Sequence, residues 1–190
     1  MEKIKLFCVS LGCDKNLVDT EKMLGVAGEL GVSFTDDETE ADAILINTCC
    51  FIGDAKEESV NTILEMAEKK KAGTCKVLIV TGCMAQRYKK EISEEIPEVD
   101  AILGTTSYGD ISKAVKEAQA GRHFEEYKSI DFLPDISGKR MLTTGGHFAY
   151  LKIAEGCDKH CTYCIIPKLR GSYRSHSMDY LIKQAESLAA

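Results

Sequence analysis

Short apolar runs alternate with amphipathic stretches over residues 3 to about 121. The runs are rich in β-branched residues and predict strands, whereas the stretches between them repeat apolar residues at intervals of three and four and predict helices. We expect strands at residues 3–10, 43–48, 76–81 and 99–103, and a short edge strand at 32–34. We expect helices at 17–30, 55–71, 85–95 and 110–120. This alternation predicts an α/β fold, a parallel sheet flanked by helices.

Glycines mark the ends of three predicted helices, at Gly31, Gly73 and Gly121, where C-terminal caps are expected. Residues 122–146 lose the rhythm and read as a linker or a loose hairpin that contains Pro134 and Gly138. The chain therefore divides into a first domain at residues 1–121, the linker, and a second region at 147–190. That region is expected to hold a strand at 147–154, a cysteine-rich loop and a helix from about 178 to the end.

The charge pattern favours neither nucleic acid nor membrane as a partner. The formal net charge is -6, and the longest basic run, Lys69 to Lys71, closes a predicted helix where cations suit the helix dipole. The apolar run near the N-terminus is too short for a signal peptide or a membrane span, so we expect a cytoplasmic protein. Nine cysteines in a reducing compartment are then metal ligands or buried thiols rather than disulfides.

One cysteine group is compact: Cys157, Cys161 and Cys164 form a CxxxCxxC pattern directly after a predicted strand. Three thiolates on one loop can hold three irons of a cubane cluster and leave the fourth iron open for chemistry. His160 adjoins Cys161 and is interpreted as a loop residue, because adjacent residues rarely point at one metal. Zinc binding by the three cysteines is the structural alternative.

A second group is dispersed along the first domain. Cys13, Cys49 and Cys83 each follow a predicted strand, and the carboxyl ends of parallel strands share the edge where open α/β sheets bind ligands. Gly12 and Gly82 precede two of them and would let the backbone approach a bulky ligand. An isolated cytosolic cysteine is more often a small buried apolar residue. We adopt that interpretation for Cys8, Cys50 and Cys75, although Cys50 adjoins Cys49 and could compete with it.

These motifs resemble the methylthiotransferase family. The resemblance covers essentially the whole chain and rests on Leu11-Gly12-Cys13, Asn47-Thr48-Cys49, Thr81-Gly82-Cys83, the CxxxCxxC loop, Ile165-Ile166-Pro167 and Arg170-Gly171. The stretch from Lys15 to Asp19 is similar to the branch of the family that modifies an aspartate of a small-subunit ribosomal protein. The tRNA-modifying branch usually reads Gln-Met-Asn there, and tRNA adenosine methylthiolation is the rival activity.

The resemblance implies two 4Fe-4S clusters and S-adenosylmethionine as cofactors. An auxiliary cluster would be held by Cys13, Cys49 and Cys83, and a second cluster, held by the CxxxCxxC cysteines, would bind S-adenosylmethionine. Tyr163 would lie near the adenine, although packing over the cluster loop explains it equally well. Reduced flavodoxin or ferredoxin would supply the electron that cleaves S-adenosylmethionine, and the resulting radical would abstract hydrogen from the β-carbon that receives the methylthio group.

Several alternatives stay open at this point. An electron carrier or zinc protein would use its cysteines only to hold metal, but electron carriers normally give each cluster four cysteines, and both groups here have three. Lys15, Asn16 and Arg87 could orient an acidic substrate, or could serve only as capping and solvated residues. The radical S-adenosylmethionine domain is expected to be incomplete after its first strand-helix unit. We therefore expect residues from 147 onward to be poorly anchored and the 190-residue chain alone to lack turnover.

Overall fold

The computed structural model describes residues 4–134 and 140–189, and its centre is a parallel β-sheet. Six strands pair in the order β2-β1-β3-β4-β5-β6. They are β1 (Lys5–Ser10), β2 (Ser33–Phe34), β3 (Ala43–Thr48), β4 (Val77–Gly82), β5 (Ala101–Leu103) and β6 (Phe124–Glu126). The predicted α/β class is confirmed for this part of the chain. Lys3, where the first strand was expected to begin, lies outside the described residues.

Helices connect the strands. They are α1 (Asp14–Glu29), α2 (Gly53–Lys71), α3 (Cys83–Arg87), α4 (Lys89–Glu95) and α5 (Ile111–Gln119). The helix predicted at 85–95 is two helices, because the backbone leaves the helical region at Tyr88 (φ -117°, ψ 34°). Gly31, Gly73 and Gly121 adopt φ of 80°, 81° and 70° just after α1, α2 and α5, which confirms them as cap glycines. Across residues 4–134 and 140–189, no helix is both long and apolar enough to cross a membrane.

The sheet is covered on both faces. In β3, Ile44 and Ile46 pack into a core with α2, α3 and α4, whereas Ala43 and Leu45 pack into a second core with α1 and α5. Every residue of β3 and β4 is buried. A strand buried on both faces reads as a continuous apolar run instead of an alternating one, which is why these two strands were the clearest in the sequence.

The sheet extends past residue 121. Strand β6 pairs in parallel with β5, with Ala101 opposite Phe124 and Leu103 opposite Glu126. The sequence analysis placed this strand within the linker at 122–146, because a three-residue edge strand that carries two glutamates has no apolar run to reveal it. We call residues 4–126 the sheet domain. Gly138, expected in the same linker, lies outside the described residues.

Residues 140–189, which we call the second segment, are less regular. They contain β7 (Ala154–Glu155), α6 (Ile166–Arg170), β8 (Arg174–Ser175) and α7 (Met178–Ala189), with β7 antiparallel to β8. The strand expected at 147–154 is wrong except at its last residue. Leu151 and Ile153 are 39% and 56% exposed, so the apolar run that predicted a strand has little to pack against. The expected end of the last helix, Ala190, lies outside the described residues.

The second segment is nevertheless fastened to the sheet domain. Lys152, Glu155 and Arg170 are buried, and the two cations pair with Asp19 of α1. By contrast, α7 buries none of its side chains. The expectation that everything after residue 147 is poorly anchored is therefore wrong for the part that carries the buried charges.

Candidate functional site

Three cysteines from separate loops meet at the carboxyl edge of the sheet. Cys13 lies at the N-terminus of α1, Cys49 follows β3, and Cys83 is the first residue of α3. All three line one cavity of about 530 Å³, which we call the thiol cavity. Strands β1 and β3 are neighbours, and the chain leaves β1 toward β2 on its other side, so the cavity lies where the strand order reverses. Open α/β sheets characteristically bind ligands at that point.

Two glycines allow the cysteine loops to pack this closely. Gly12 has φ 89°, and a Cβ on it would lie 2.6 Å from the Cβ and 2.8 Å from the Sγ of Cys49. Gly82 has φ 95°, and its Cβ would lie 2.3 Å from Asn47 Oδ1. A side chain at either position would be strained by the backbone and would collide with a neighbouring loop. The two glycines therefore allow the cysteine loops to pack against each other. This role adds to the predicted one of letting the backbone approach a ligand.

Buried amides hold the loops in register. The side-chain Nδ2 of Asn16 donates to Leu11 O and to Thr48 O, both at 2.9 Å. The Nδ2 of Asn47 donates to Asn16 O at 2.8 Å. Asn16 is 0% exposed, and the Sγ of Cys83 lies 3.8 Å from its Oδ1. Asn16 thus braces the loops around the cavity by bonding their backbones. This role differs from the suggested one of orienting a substrate.

A buried ion network lies beside the thiols. The Arg170 guanidinium donates to Asn16 Oδ1 at 2.5 Å, to Asp19 Oδ2 at 2.8 Å and to Glu155 Oε1 at 3.0 Å. The Lys152 ammonium donates to the same two carboxylates. Two cations and two carboxylates balance in charge, which is the condition under which buried ions are tolerated.

The network shifts the pKa of its members. Burial disfavours the charged form of Arg170, but the neighbouring Cys83, Asp19 and Glu155 outweigh it and raise the Arg170 pKa well above its usual range. Burial likewise opposes ionisation of Glu155, and the charges of Arg170 and Lys152 overcome it and lower that pKa to about 2. Both groups therefore stay charged throughout the physiological range.

The cysteines assigned as ordinary thiols have environments that suit that role. Desolvation raises the pKa of Cys8 to about 12 and that of Cys50 to about 11, and it raises the pKa of Cys75 as well. Cys50 and Cys75 are 2% and 3% exposed, and none of the three lines the thiol cavity. Burial also raises the pKa of Cys83, but there the guanidinium of Arg170 opposes the shift.

The CxxxCxxC cysteines are divided between two cavities. Cys157 lines the thiol cavity together with Cys13, Cys49 and Cys83. Cys161 and Cys164 line a neighbouring cavity of about 410 Å³, which we call the outer cavity. The backbone N–H of Cys164 donates to Cys161 O at 3.0 Å, so these two residues are held close. The predicted grouping of all three on one site stays a prediction.

Other predicted residues lie at the outer cavity. Tyr163 lines it and is 88% exposed, so it packs little against the cluster loop. Arg87 lines it as well, with its guanidinium 5.0 Å from the ring centre of Tyr88. Phe51 lines both cavities and forms part of the wall between them. Lys15 lines the thiol cavity, but its ammonium donates to Ala154 O at 2.7 Å.

The thiol cavity offers soft sulfur donors around a largely apolar space. Across residues 4–134 and 140–189, no three His, Cys, Asp or Glu side chains form a group that could hold one metal ion. A cubane cluster presents its irons at separate corners, so its thiols need not converge on a single point. Thiol donors around an apolar space with a buried guanidinium beside them match an anionic iron-sulfur cluster.

The ion network was the part of the site that sequence reasoning missed. Lys152 and Glu155 stand three residues apart in a stretch that otherwise reads as an apolar strand, and Asp19 lies inside an amphipathic helix. A charged residue in an apolar run is the signal that could have found them. Nothing in the spacing shows that they pair across more than 130 residues, as Lys152 and Asp19 do.

The fold and the site together define a class: an α/β protein with a covered parallel sheet and a thiol-lined ligand site at its carboxyl edge. Residues 5–104 match the Uncharacterized protein family UPF0004, and the chain belongs to that family. The match spans β1 to β5 and includes all three strand-end cysteines.

Curated relatives extend the comparison to the whole chain. The chain is 60% identical over 186 residues to the ribosomal protein uS12 methylthiotransferase RimO of Lachnoclostridium phytofermentans, covering 98% of the chain and 42% of the relative. The proteins of the same name from Clostridioides difficile and Trichlorobacter lovleyi are 50% and 47% identical, over 98% and 99% of the chain and 42% of each relative. These relatives confirm the resemblance to methylthiotransferases. The chain spans about two fifths of their length.

Proposed function

We propose that this chain is the N-terminal portion of a radical S-adenosylmethionine methylthiotransferase whose substrate is an aspartate of small-subunit ribosomal protein uS12. The observation that carries the proposal is the meeting of Cys13, Cys49 and Cys83 on one cavity at the switch point of the sheet. The names of the relatives supply the substrate, and those names favour the ribosomal protein over tRNA.

The residues divide between two 4Fe-4S clusters. Cys13, Cys49 and Cys83 would hold the auxiliary cluster, and Cys157, Cys161 and Cys164 would hold the cluster that binds S-adenosylmethionine, with Tyr163 beside the adenine. When bound, the clusters and S-adenosylmethionine supply the radical and the sulfur chemistry, with reduced flavodoxin or ferredoxin as electron donor. We place the protein in the cytoplasm with no membrane partner, and we place the domain boundary between the sheet domain and the second segment.

The protein's own contribution is positioning and exclusion of water. Gly12 and Gly82 hold the three thiol loops together, and Asn16 braces them through two backbone carbonyls. Apolar side chains, including Ile166 and Leu169, line the thiol cavity and leave few polar partners for water. Such an environment strengthens the electrostatic interactions made inside it. Because the thiol and outer cavities share Phe51, the two cofactor sites would be neighbours.

Iron and sulfide analysis of the anaerobically reconstituted chain tests the proposal. The wild-type chain should bind two clusters, and replacing Cys13, Cys49 and Cys83 together by alanine should remove about half of the iron. Replacing Cys157, Cys161 and Cys164 should remove the other half. Cys75→Ala is the matched control, since Cys75 is a buried thiol away from both cavities. Loss of all iron in either triple variant would show one shared site and contradict the assignment of two.

A further inference from the structure

Arg170 belongs to the second segment but completes a site of the sheet domain. It lies at the end of α6, is 4% exposed, and lines the thiol cavity together with Cys13, Cys49 and Cys83. Its guanidinium donates to Asn16 Oδ1, and the Sγ of Cys83 lies 3.8 Å from the same oxygen.

Arg170 and Lys152 share the same two carboxylates but face different surroundings. Arg170 faces the thiols and the Asn16 amide that braces their loops. Lys152 does not line the thiol cavity, and its ammonium lies 5.3 Å from the ring centre of Tyr108. The network therefore contains one cation directed at the cavity and one directed away from it.

We propose that Arg170 is a positioning residue of the thiol cavity: it fixes the Asn16 brace beneath the thiol loops and supplies the positive charge that offsets an anionic cluster bound there. The charge part of this inference rests on the proposed function, whereas the bracing part concerns the protein alone. The thiol site of the sheet domain would then be complete only when the second segment is docked on it.

Physical reasoning gives each part a consequence. A cation next to a cluster favours its reduced, more negative state, so loss of Arg170 should lower the cluster's reduction potential. The guanidinium also bonds the amide whose other end bonds Leu11 O and Thr48 O. Its loss should therefore loosen the loops that carry Cys13 and Cys49.

Removing Arg170 alone would leave buried carboxylates short of a cation, so the test uses charge-balanced pairs. The test variant is Arg170→Gln with Glu155→Gln, which leaves Lys152 paired with Asp19. The matched control is Lys152→Gln with Glu155→Gln, which leaves Arg170 paired with Asp19. Both remove one cation and the same carboxylate, so they differ only in which cation remains.

The first readout needs no cofactor. Hydrogen exchange on the metal-free chain should be faster at residues 11–17 and 48–50 in the test variant than in the control. The second readout uses a background in which Cys157, Cys161 and Cys164 are alanine, so that only the thiol cavity can hold a cluster. There, a redox titration followed by paramagnetic resonance should give a lower potential for the test variant than for the control.

Equal exchange rates and equal potentials in the two variants would overturn the proposal, because the network would then act only as a structural clamp. If the wild-type chain binds no iron, the proposed function fails while the exchange comparison still decides the bracing role. Arg170→Lys keeps the charge and should hold the potential close to wild type. If the potential of Arg170→Lys is as low as that of the test variant, the charge role is contradicted. Arg170→Lys also replaces the test variant in the redox titration if the test variant does not fold.

Discussion

Cys49 and Cys83 are 6% and 7% exposed beneath the edge of a covered sheet, whereas Cys161 lies on an exposed loop beside Tyr163, which is 88% exposed. The loops of the thiol cavity are held by buried amides and by glycines that tolerate no side chain. At the outer cavity, by contrast, the lining residues from His160 to Tyr163 are all exposed.

The contrast shows two ways of building a cysteine site. In the thiol cavity, folding of the sheet domain and docking of the second segment order the loops, so a ligand need not offset that entropy when it binds. The outer loop is exposed from Asp158 to Tyr163, so burial contributes little to its order. The two cavities share Phe51, and the predictions below probe the difference between them.

The largest expected effect comes from the ion network. Asp19→Ala removes the carboxylate that pairs with both Lys152 and Arg170 and leaves buried positive charge uncompensated. We expect the free energy of unfolding to fall by about 4 kcal/mol. Chemical denaturation measures this. Glu94→Ala is the control, since its pair with Lys90 spans 3.8 Å with both side chains mostly exposed. A loss below about 1 kcal/mol for Asp19→Ala would mean the network is solvated and the second segment is loosely docked.

The next largest loss of stability is expected at Gly82, the residue before Cys83. Gly82→Ala places a Cβ 2.5 Å from Thr48 O at φ 95°, so the β3 and β4 loops must separate. We expect a loss of about 3 kcal/mol in unfolding free energy. Gly73→Ala has a similar φ of 81° but no atom within 4 Å of the added Cβ, and should cost about 1 kcal/mol. Equal losses would show that backbone strain alone, and not loop contact, makes Gly82 necessary.

A smaller effect concerns the contact between α1 and α7. Burial, reinforced by the charge of Lys152, lowers the pKa of Lys22 to about 8, and its ammonium donates to Tyr180 Oη at 2.7 Å. The folded pKa is below the unfolded value of 10.5, so between about pH 8 and 10.5 the unfolded chain binds more protons and stability rises with pH.

Lys22→Met lacks this contribution, so it separates Lys22 from other alkaline titrations. Wild type should gain about 2 kcal/mol relative to the variant between pH 7 and pH 10. Urea denaturation at both pH values measures the difference. A constant difference across that range would place Lys22 in solvent and α7 away from α1.

The smallest stability effect is expected at the outer cavity. Because Tyr163 is 88% exposed, Tyr163→Ala should change the unfolding free energy by less than about 0.5 kcal/mol. Under the proposed function it should weaken S-adenosylmethionine binding to the reconstituted chain about fivefold, which corresponds to loss of about 1 kcal/mol of stacking. Tyr163→Phe keeps the ring and should bind as wild type. If Tyr163→Ala binds S-adenosylmethionine as tightly as Tyr163→Phe and wild type do, Tyr163 does not contact the adenine.

The sequence by itself determined the features that depend on local pattern. The buried runs of β3 and β4 predicted central strands, because a strand covered on both faces must be apolar throughout. The position of Cys13, Cys49 and Cys83 after β1, β3 and β4 predicted that they converge, because parallel strands share one carboxyl edge. Gly31 and Gly73 marked helix ends, since few other residues adopt a positive φ.

Only the tertiary structure decided the features that depend on pairing across the chain. Strand β6 has three residues with no apolar run and exists because β5 offers a free edge for pairing. The run at 147–153 looks like a strand, but among the described residues no strand pairs with it. Its carbonyls at Phe148, Tyr150 and Ile153 instead accept hydrogen bonds from Thr144, Arg140 and His176. The partners of Asp19 lie more than 130 residues away, and a charge carries no local signal of its counterion. A sequence pattern indicates whether a residue is buried. Which residue it pairs with depends on the path of the whole chain.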